Sequence, residues 1–200
     1  MVYIISNSNS IWAGGFFTRA GGIDVYNLSS WNGSSWLSLH PNGTNGVVRA
    51  ITEFDDGTGY SPYIGGGFTT ANIPVLFVAK YKFLQFLAME FGLEDHVYAL
   101  EPFDDGNGVK LYAGGFFTET ALGQEARKII RWDGSEWSDL DRGFFGAGNV
   151  DALETFNHDD TKNLYVGGQF FSANTVNSPN IARWKCPGDL IFKNSFDPLN

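Results

Sequence analysis

Leu111-Tyr112-Ala113-Gly114-Gly115-Phe116-Phe117-Thr118 recurs, with few changes, at three other places in the chain. The copies are Trp12-Ala13-Gly14-Gly15-Phe16-Phe17-Thr18, Tyr63-Ile64-Gly65-Gly66-Gly67-Phe68-Thr69 and Tyr165-Val166-Gly167-Gly168-Gln169-Phe170-Phe171. Their first glycines stand at 14, 65, 114 and 167, so the steps are 51, 49 and 53 residues. A near-constant period of that size is the signature of a repeat architecture.

Other landmarks keep the same beat. Val97-Tyr98-Ala99-Leu100 returns as Val150-Asp151-Ala152-Leu153, as Val48-Arg49-Ala50-Ile51, and as Val2-Tyr3-Ile4-Ile5. Phe103-Asp104-Asp105-Gly106-Asn107-Gly108 echoes Phe54-Asp55-Asp56-Gly57-Thr58-Gly59, with Phe156-Asn157-His158-Asp159-Asp160 as a looser copy. Trp132-Asp133-Gly134-Ser135-Glu136-Trp137 matches Trp31-Asn32-Gly33-Ser34-Ser35-Trp36, and Trp184 stands where a fourth copy would begin. The markers divide the chain into units 2–46, 47–96, 97–149 and a shortened 150–186, followed by a tail at 187–200.

Each unit reads as four short strands. In the third, the strands are 97–103, 111–117, 128–132 and 137–140, and the Asp-Gly and Asn-Gly pairs between them suit tight hairpins because they tolerate positive φ. A four-stranded antiparallel meander repeated in tandem predicts an all-β fold, a β-propeller-like array of blades. Glycine inside a strand marks a bulge or a close backbone approach, so the Gly-Gly pairs are expected where inner strands crowd a central channel. Phe17, Phe68, Phe117 and Phe170, with the paired tryptophans, are expected to fill the space between blades. Unit two departs: Tyr81 and Phe86 replace the two tryptophans and the Asp-Gly turn is missing. Val75 to Phe91 taken alone fits an amphipathic helix, but the repeat register favours strands there.

Composition agrees with short strands and tight turns. Of 200 residues 16% are aromatic, 25 are glycine and 18% are charged. The formal net charge of −9 argues against a nucleic-acid backbone and against an anionic membrane surface as partner. Cys186 is the single cysteine, so no intrachain disulfide or thiol pair is possible, and it is expected to pack as a small hydrophobe. No stretch of about 20 uncharged apolar residues is present to span a bilayer. Residues 1–10 lack a basic region followed by a long apolar run, so any export signal is expected to have been removed or to lie upstream.

Leu111 to Thr118 and Ile130-Arg131-Trp132-Asp133-Gly134-Ser135-Glu136-Trp137 resemble the Gly-Gly-x-Phe repeats of bacterial and fungal surface propeller proteins. These are relatives in pattern of kelch and galactose-oxidase-type propellers. The resemblance covers residues 2–186 and implies an extracellular or cell-surface location. It also implies more units than are present here, as in the C-terminal part of something larger. Asp189-Leu190-Ile191-Phe192-Lys193-Asn194-Ser195-Phe196-Asp197 looks like a C-terminal extension of some exported Gram-negative proteins, with Ser195 in the usual glycine position; a final strand docking on the last blade is the alternative.

Chemistry is sparse. Asp55, Asp56, Asp104 and Asp105 are candidate calcium ligands, but they also suit plain turns and lack a later bidentate Glu. His40, His96 and His158 fall at different places in different units, so no copper or zinc site is expected. Glu101 and Glu154 form a candidate glycosidase pair, yet they occupy equivalent repeat positions. No Gly-x-Ser-x-Gly elbow or phosphate loop is present. The expectation is a non-catalytic binding or scaffold module for an unknown protein or glycan, with no cofactor. A propeller enzyme with its site in a central channel is one alternative. The other is a structural spacer that self-associates through open blade edges.

Overall fold

The computed structural model describes residues 3–7, 10–40, 43–140, 143–158, 161–173 and 176–185. Every regular element among them is a β-strand. Cys186 and the tail at 187–200 lie outside the described residues.

The first unit contains β1 (Tyr3–Asn7), β2 (Ser10–Gly14), the small hairpin β3 (Arg19–Ala20) and β4 (Ile23–Asp24), then β5 (Leu28–Trp31) and β6 (Trp36–Leu37). Its main sheet runs β1-β2-β5-β6, all antiparallel. The second unit repeats this with β7 (Val48–Asp55), β8 (Tyr60–Gly66), the hairpin β9 (Thr70–Ala71) and β10 (Ile73–Pro74), β11 (Val78–Lys82) and β12 (Gln85–Ala88). The third has β13 (Val97–Asp104), β14 (Val109–Gly115), β15 (Ile129–Trp132) and β16 (Trp137–Ser138) in the order β13-β14-β15-β16. After the linker strand β17 (Phe144–Phe145), the fourth unit has β18 (Val150–His158), β19 (Thr161–Gly168), the pair β20 (Ser172–Ala173) and β21 (Val176–Asn177), and β22 (Ile181–Lys185). Its sheet is β18-β19-β22, three strands among the described residues. Val75 to Phe91 is strand and turn, so the helical alternative is overturned.

The Gly-Gly-x-Phe motif is a clamp made the same way four times. The second glycine donates its N–H to the carbonyl of the residue just before the third strand, and that residue donates its own N–H to the carbonyl of the motif phenylalanine. The pairs are Gly15 and Asn27, Gly66 and Phe77, Gly115 and Lys128, and Gly168 and Asn180. All four clamp residues have positive φ, at 65°, 71°, 73° and 69°. Only the asparagines are suited to that region by type.

The glycines also set how one sheet meets the next. A Cβ on Gly14 would lie 2.5 Å from Val48 Cγ1, one on Gly65 2.5 Å from Val97 Cγ1, and one on Gly114 2.4 Å from Val150 Cγ1. The close approach is therefore to the first strand of the following sheet, not a crowding of inner strands against a channel. A Cβ on Gly66, Gly115 or Gly168 would instead come within 2.1 Å of the carbonyl oxygen of Val47, His96 or Asn149. There the register of the first strand shifts, between Val48 and Ala50, Val97 and Ala99, and Val150 and Ala152. Each shift is a β-bulge, with one extra residue on the first strand.

Three hydrophobic clusters occupy the three junctions between successive sheets. Trp12 and Leu28 of unit one meet Phe68, Tyr81 and Phe86 of unit two. Tyr63, Val78 and Met89 meet Phe117, Trp132 and Trp137. Tyr112 and Ile129 meet Leu164, Phe170 and Trp184. Each buried ring or branched chain contributes about 1.5–3 kcal/mol. The motif phenylalanine and the aromatic pair thus belong to the junction with the preceding unit. Unit one departs from the expectation: Phe17, Trp31 and Trp36 are half-buried, because no described sheet precedes them.

One register differs from the sequence alignment. Ile4 pairs with Ala13, as Ile51 pairs with Ile64 and Leu100 with Ala113. Ile4, rather than Ile5, is the counterpart of Leu100, so the alignment of Val2-Tyr3-Ile4-Ile5 with Val97 to Leu100 is one residue out.

Candidate functional site

The first strand is an edge of the main sheet of each unit, and β1, β7, β13 and β18 lie side by side in that order. A cavity of about 810 Å³ is lined by residues 47–51 from the second unit, 98–101 from the third, and Asn149, 151–154 and Gln169 from the fourth. Its walls are therefore three strands that each lie at the edge of their own sheet.

The bulges decide what enters this space. The extra residue is Arg49 in β7, Tyr98 in β13 and Asp151 in β18, and all three line the cavity. A bulge turns a side chain away from the alternation of its strand. In all three units the glycine pair accommodates the bulge, which leaves the bulged position free to differ among units. Residue type alone does not mark Arg49 and Tyr98 as candidate site residues. The available signal was the variable x of Val-x-Ala-Leu/Ile amid fixed neighbours.

The Arg49 guanidinium lies over the Tyr98 ring, 5.1 Å from its centroid. Its Nε is buried and has no hydrogen-bond partner among the described residues. Glu101 Oε1 accepts a hydrogen bond from the Thr155 backbone N–H at 3.1 Å, tying β13 to β18. Burial holds the Glu101 carboxyl above its ordinary pKa; the Thr155 bonds oppose this and the nearby Glu154 charge adds to it. Asn149 Nδ2 donates to Asp151 Oδ1. The lining thus joins one guanidinium and one phenol ring with the carboxylates of Glu101, Asp151 and Glu154. Such a set offers a flat face and several directed donors and acceptors to a polar ligand.

The calcium candidates lie elsewhere and are engaged. Asp55 Oδ1 accepts the N–H groups of Gly57 and Gly59 at 2.9 and 2.8 Å, and Asp104 Oδ1 does the same for Gly106 and Gly108 at 2.9 and 3.1 Å. Asp56 accepts from Tyr63 Oη at 2.9 Å and pairs with Lys80, and Asp105 accepts from Arg131 at 2.6 Å and from Tyr112 Oη at 3.2 Å. The two turns sit in separate sheets, and no group of three or more His, Cys, Asp or Glu suited to a metal occurs among the described residues. His96 sits between Phe77 and Tyr98, at 5.5 and 6.2 Å between ring centroids, while His40 lies in the linker after β6. The side chain of His158 lies outside the described residues.

No family model matches the chain, and no curated protein matches it. No helix among the described residues is long and apolar enough to cross a membrane.

Proposed function

We infer that the four sheets are blades of a β-propeller-like array and that the chain is a non-catalytic, extracellular or cell-surface module that binds a glycan in the cavity between its first strands. The observation that carries this reading is the delivery of Arg49, Tyr98 and Asp151 into one cavity by three equivalent bulges. A scaffold that keeps the bulge and its flanking residues while varying the bulged residue that lines a shared cavity is suited to recognition. The aromatic face of Tyr98 suits the C–H face of a sugar, and Arg49, Asp151 and Glu154 suit adjacent hydroxyls. The test is a glycan array followed by titration calorimetry. Tyr98→Ala and Arg49→Ala should each weaken binding at least about tenfold, equivalent to about 1.4 kcal/mol, with little change in unfolding temperature. An array that yields no ligand sinks the glycan reading, and a pull-down then tests for a protein ligand.

A second reading, a glycoside hydrolase, is supported by one observation: Glu101 is pushed toward its protonated form in the same cavity as Glu154. That is the pairing an acid and a base or nucleophile require. If it holds, a panel of aryl glycosides will be turned over and Glu101→Gln will abolish turnover. Absence of turnover with intact glycan binding eliminates it.

A further inference from the structure

Among the described residues, the outward faces of the first and fourth sheets each leave exposed the positions that are buried at the internal junctions. On the fourth sheet, Phe156 holds the position of Phe54 and Phe103 and is 62% exposed where they are 2% and 1% exposed. Ile181 holds the position of the fully buried Val78 and Ile129 and is 50% exposed. Gly167 holds the position of Gly65 and Gly114, but a Cβ there would meet nothing closer than Ala152 Cβ, at 3.9 Å in its own sheet. This face is shaped as the others are, yet no described residue is seated on it.

The opposite face of unit one shows the matching deficit. Ile11 holds the position of Leu111 and Leu164, which are fully buried against the preceding sheet, and is 38% exposed. Trp31 and Trp36 are half-buried where Trp132 and Trp137 are buried, and Phe17 is half-buried where Phe117 and Phe170 are buried. β7, β13 and β18 are each already seated on the glycine of the sheet before them, which leaves β1.

We propose that the open face of the fourth sheet around Gly167, Phe156 and Ile181 docks the first unit of a second copy of this chain. The contact reproduces the three internal junctions, with β1 and the Trp31–Trp36 pair of one copy placed as β13 and the Trp132–Trp137 pair are placed within the chain. The internal junctions are what identify the occupant, since the new contact continues an interface the molecule already builds three times. Such a contact is heterologous, joining unlike faces, and so makes rings or filaments. It is independent of what the cavity binds.

Gly167→Leu and Ile11→Glu test it. The first fills the socket with a side chain that the isolated chain has room for, and the second puts a charge on the opposite face. Sedimentation over a wide concentration range should show concentration-dependent association of the wild type. Each variant alone should be monomeric, with the unfolding temperature of the wild type at a dilution where that too is monomeric, and a mixture of the two should give a 1:1 dimer, because each retains the face the other lacks. If Gly167→Leu fails to fold, Ile181→Glu blocks the same face in its place. A wild type that stays monomeric at every concentration overturns the proposal; if Gly167→Leu then also lowers the unfolding temperature, the face closes on the chain's own first unit instead. Association that survives both variants overturns it as well, by placing the contact elsewhere.

Discussion

Asp56 and Asp105 show how much two adjacent aspartates can differ in role. In each turn the first carboxylate binds turn N–H groups, whereas the second reaches back under the sheet to a buried tyrosine and a cation from the third strand. Burial pushes the Asp56 pKa upward, but the bonds from Lys80, Thr58 and Tyr63 outweigh it and hold the carboxyl well below the usual carboxylate range. For Asp105, burial is likewise outweighed, by the Asn107 N–H, Lys110 and Arg131. A folded pKa below the unfolded value of about 3.9 means that the stabilisation is fully present above pH about 4 and is lost as pH falls through the folded value. The part of the urea midpoint that Asp56 and Asp105 supply should therefore hold steady from neutral pH down to pH about 5 and fall below pH about 4. Asp56→Asn should cost about 3 kcal/mol at pH 7, because it leaves Lys80 buried without its counter-charge, and should shrink that acid-side decline. The turn was legible in Asp-Asp-Gly. The ion pair was not, although Lys80, Arg131 and Arg183 recur at one position of the third strand, because pairing across some 24 residues depends on the sheet register.

At the scale of the element, the hairpin of unit two is the informative departure. Tyr81 pairs with Phe86 as Trp31 pairs with Trp36 and Trp132 with Trp137, so the sequence equivalence of Tyr81 and Phe86 is correct. In units one and three the loop is closed by a side chain: Asn32 Oδ1 and Asp133 Oδ1 accept the N–H groups two and three residues on. Unit two has no such acceptor. Its strands continue to Lys82 and Gln85, and the turn is made by Phe83 and Leu84, both at positive φ, 53° and 61°. That is the geometry for which Asn-Gly is favoured. Replacing Phe83-Leu84 by Asn-Gly should stabilise the protein by about 1–2 kcal/mol by removing left-handed strain, read as a higher urea midpoint with unchanged circular dichroism. A lower midpoint would mean that these two exposed side chains make contacts that outweigh the strain. The bulges were the least legible elements. A bulge shows in sequence only as one residue of slack, and the residue it turns toward the cavity is fixed by the backbone of the linker pressing on the second glycine.

For the whole molecule, the period, the four units and the strand order were legible because each unit carries its own turns and its own glycine pair. The direction of packing was not. The phenylalanine of units two, three and four and the aromatic pair of units two and three face the unit before, and the first glycine of units one, two and three faces the unit after, so the two kinds of marker report opposite junctions. This polarity explains why the aromatic residues of unit one and the glycine face of unit four are the under-buried parts of the molecule. It also accounts for the cavity, since seating each first strand on the previous glycine brings β7, β13 and β18 together.

The glycine series measures that polarity directly, through unfolding free energies at a dilution where the chain is monomeric. Gly65→Ala and Gly114→Ala should each cost at least about 2 kcal/mol, since the added methyl meets Val97 or Val150 in a packed junction. Gly167→Ala, with open space in front of it, should change stability by less than about 0.5 kcal/mol. Equal losses at Gly114 and Gly167 would contradict the account, for they would place both glycines in the same kind of packed junction.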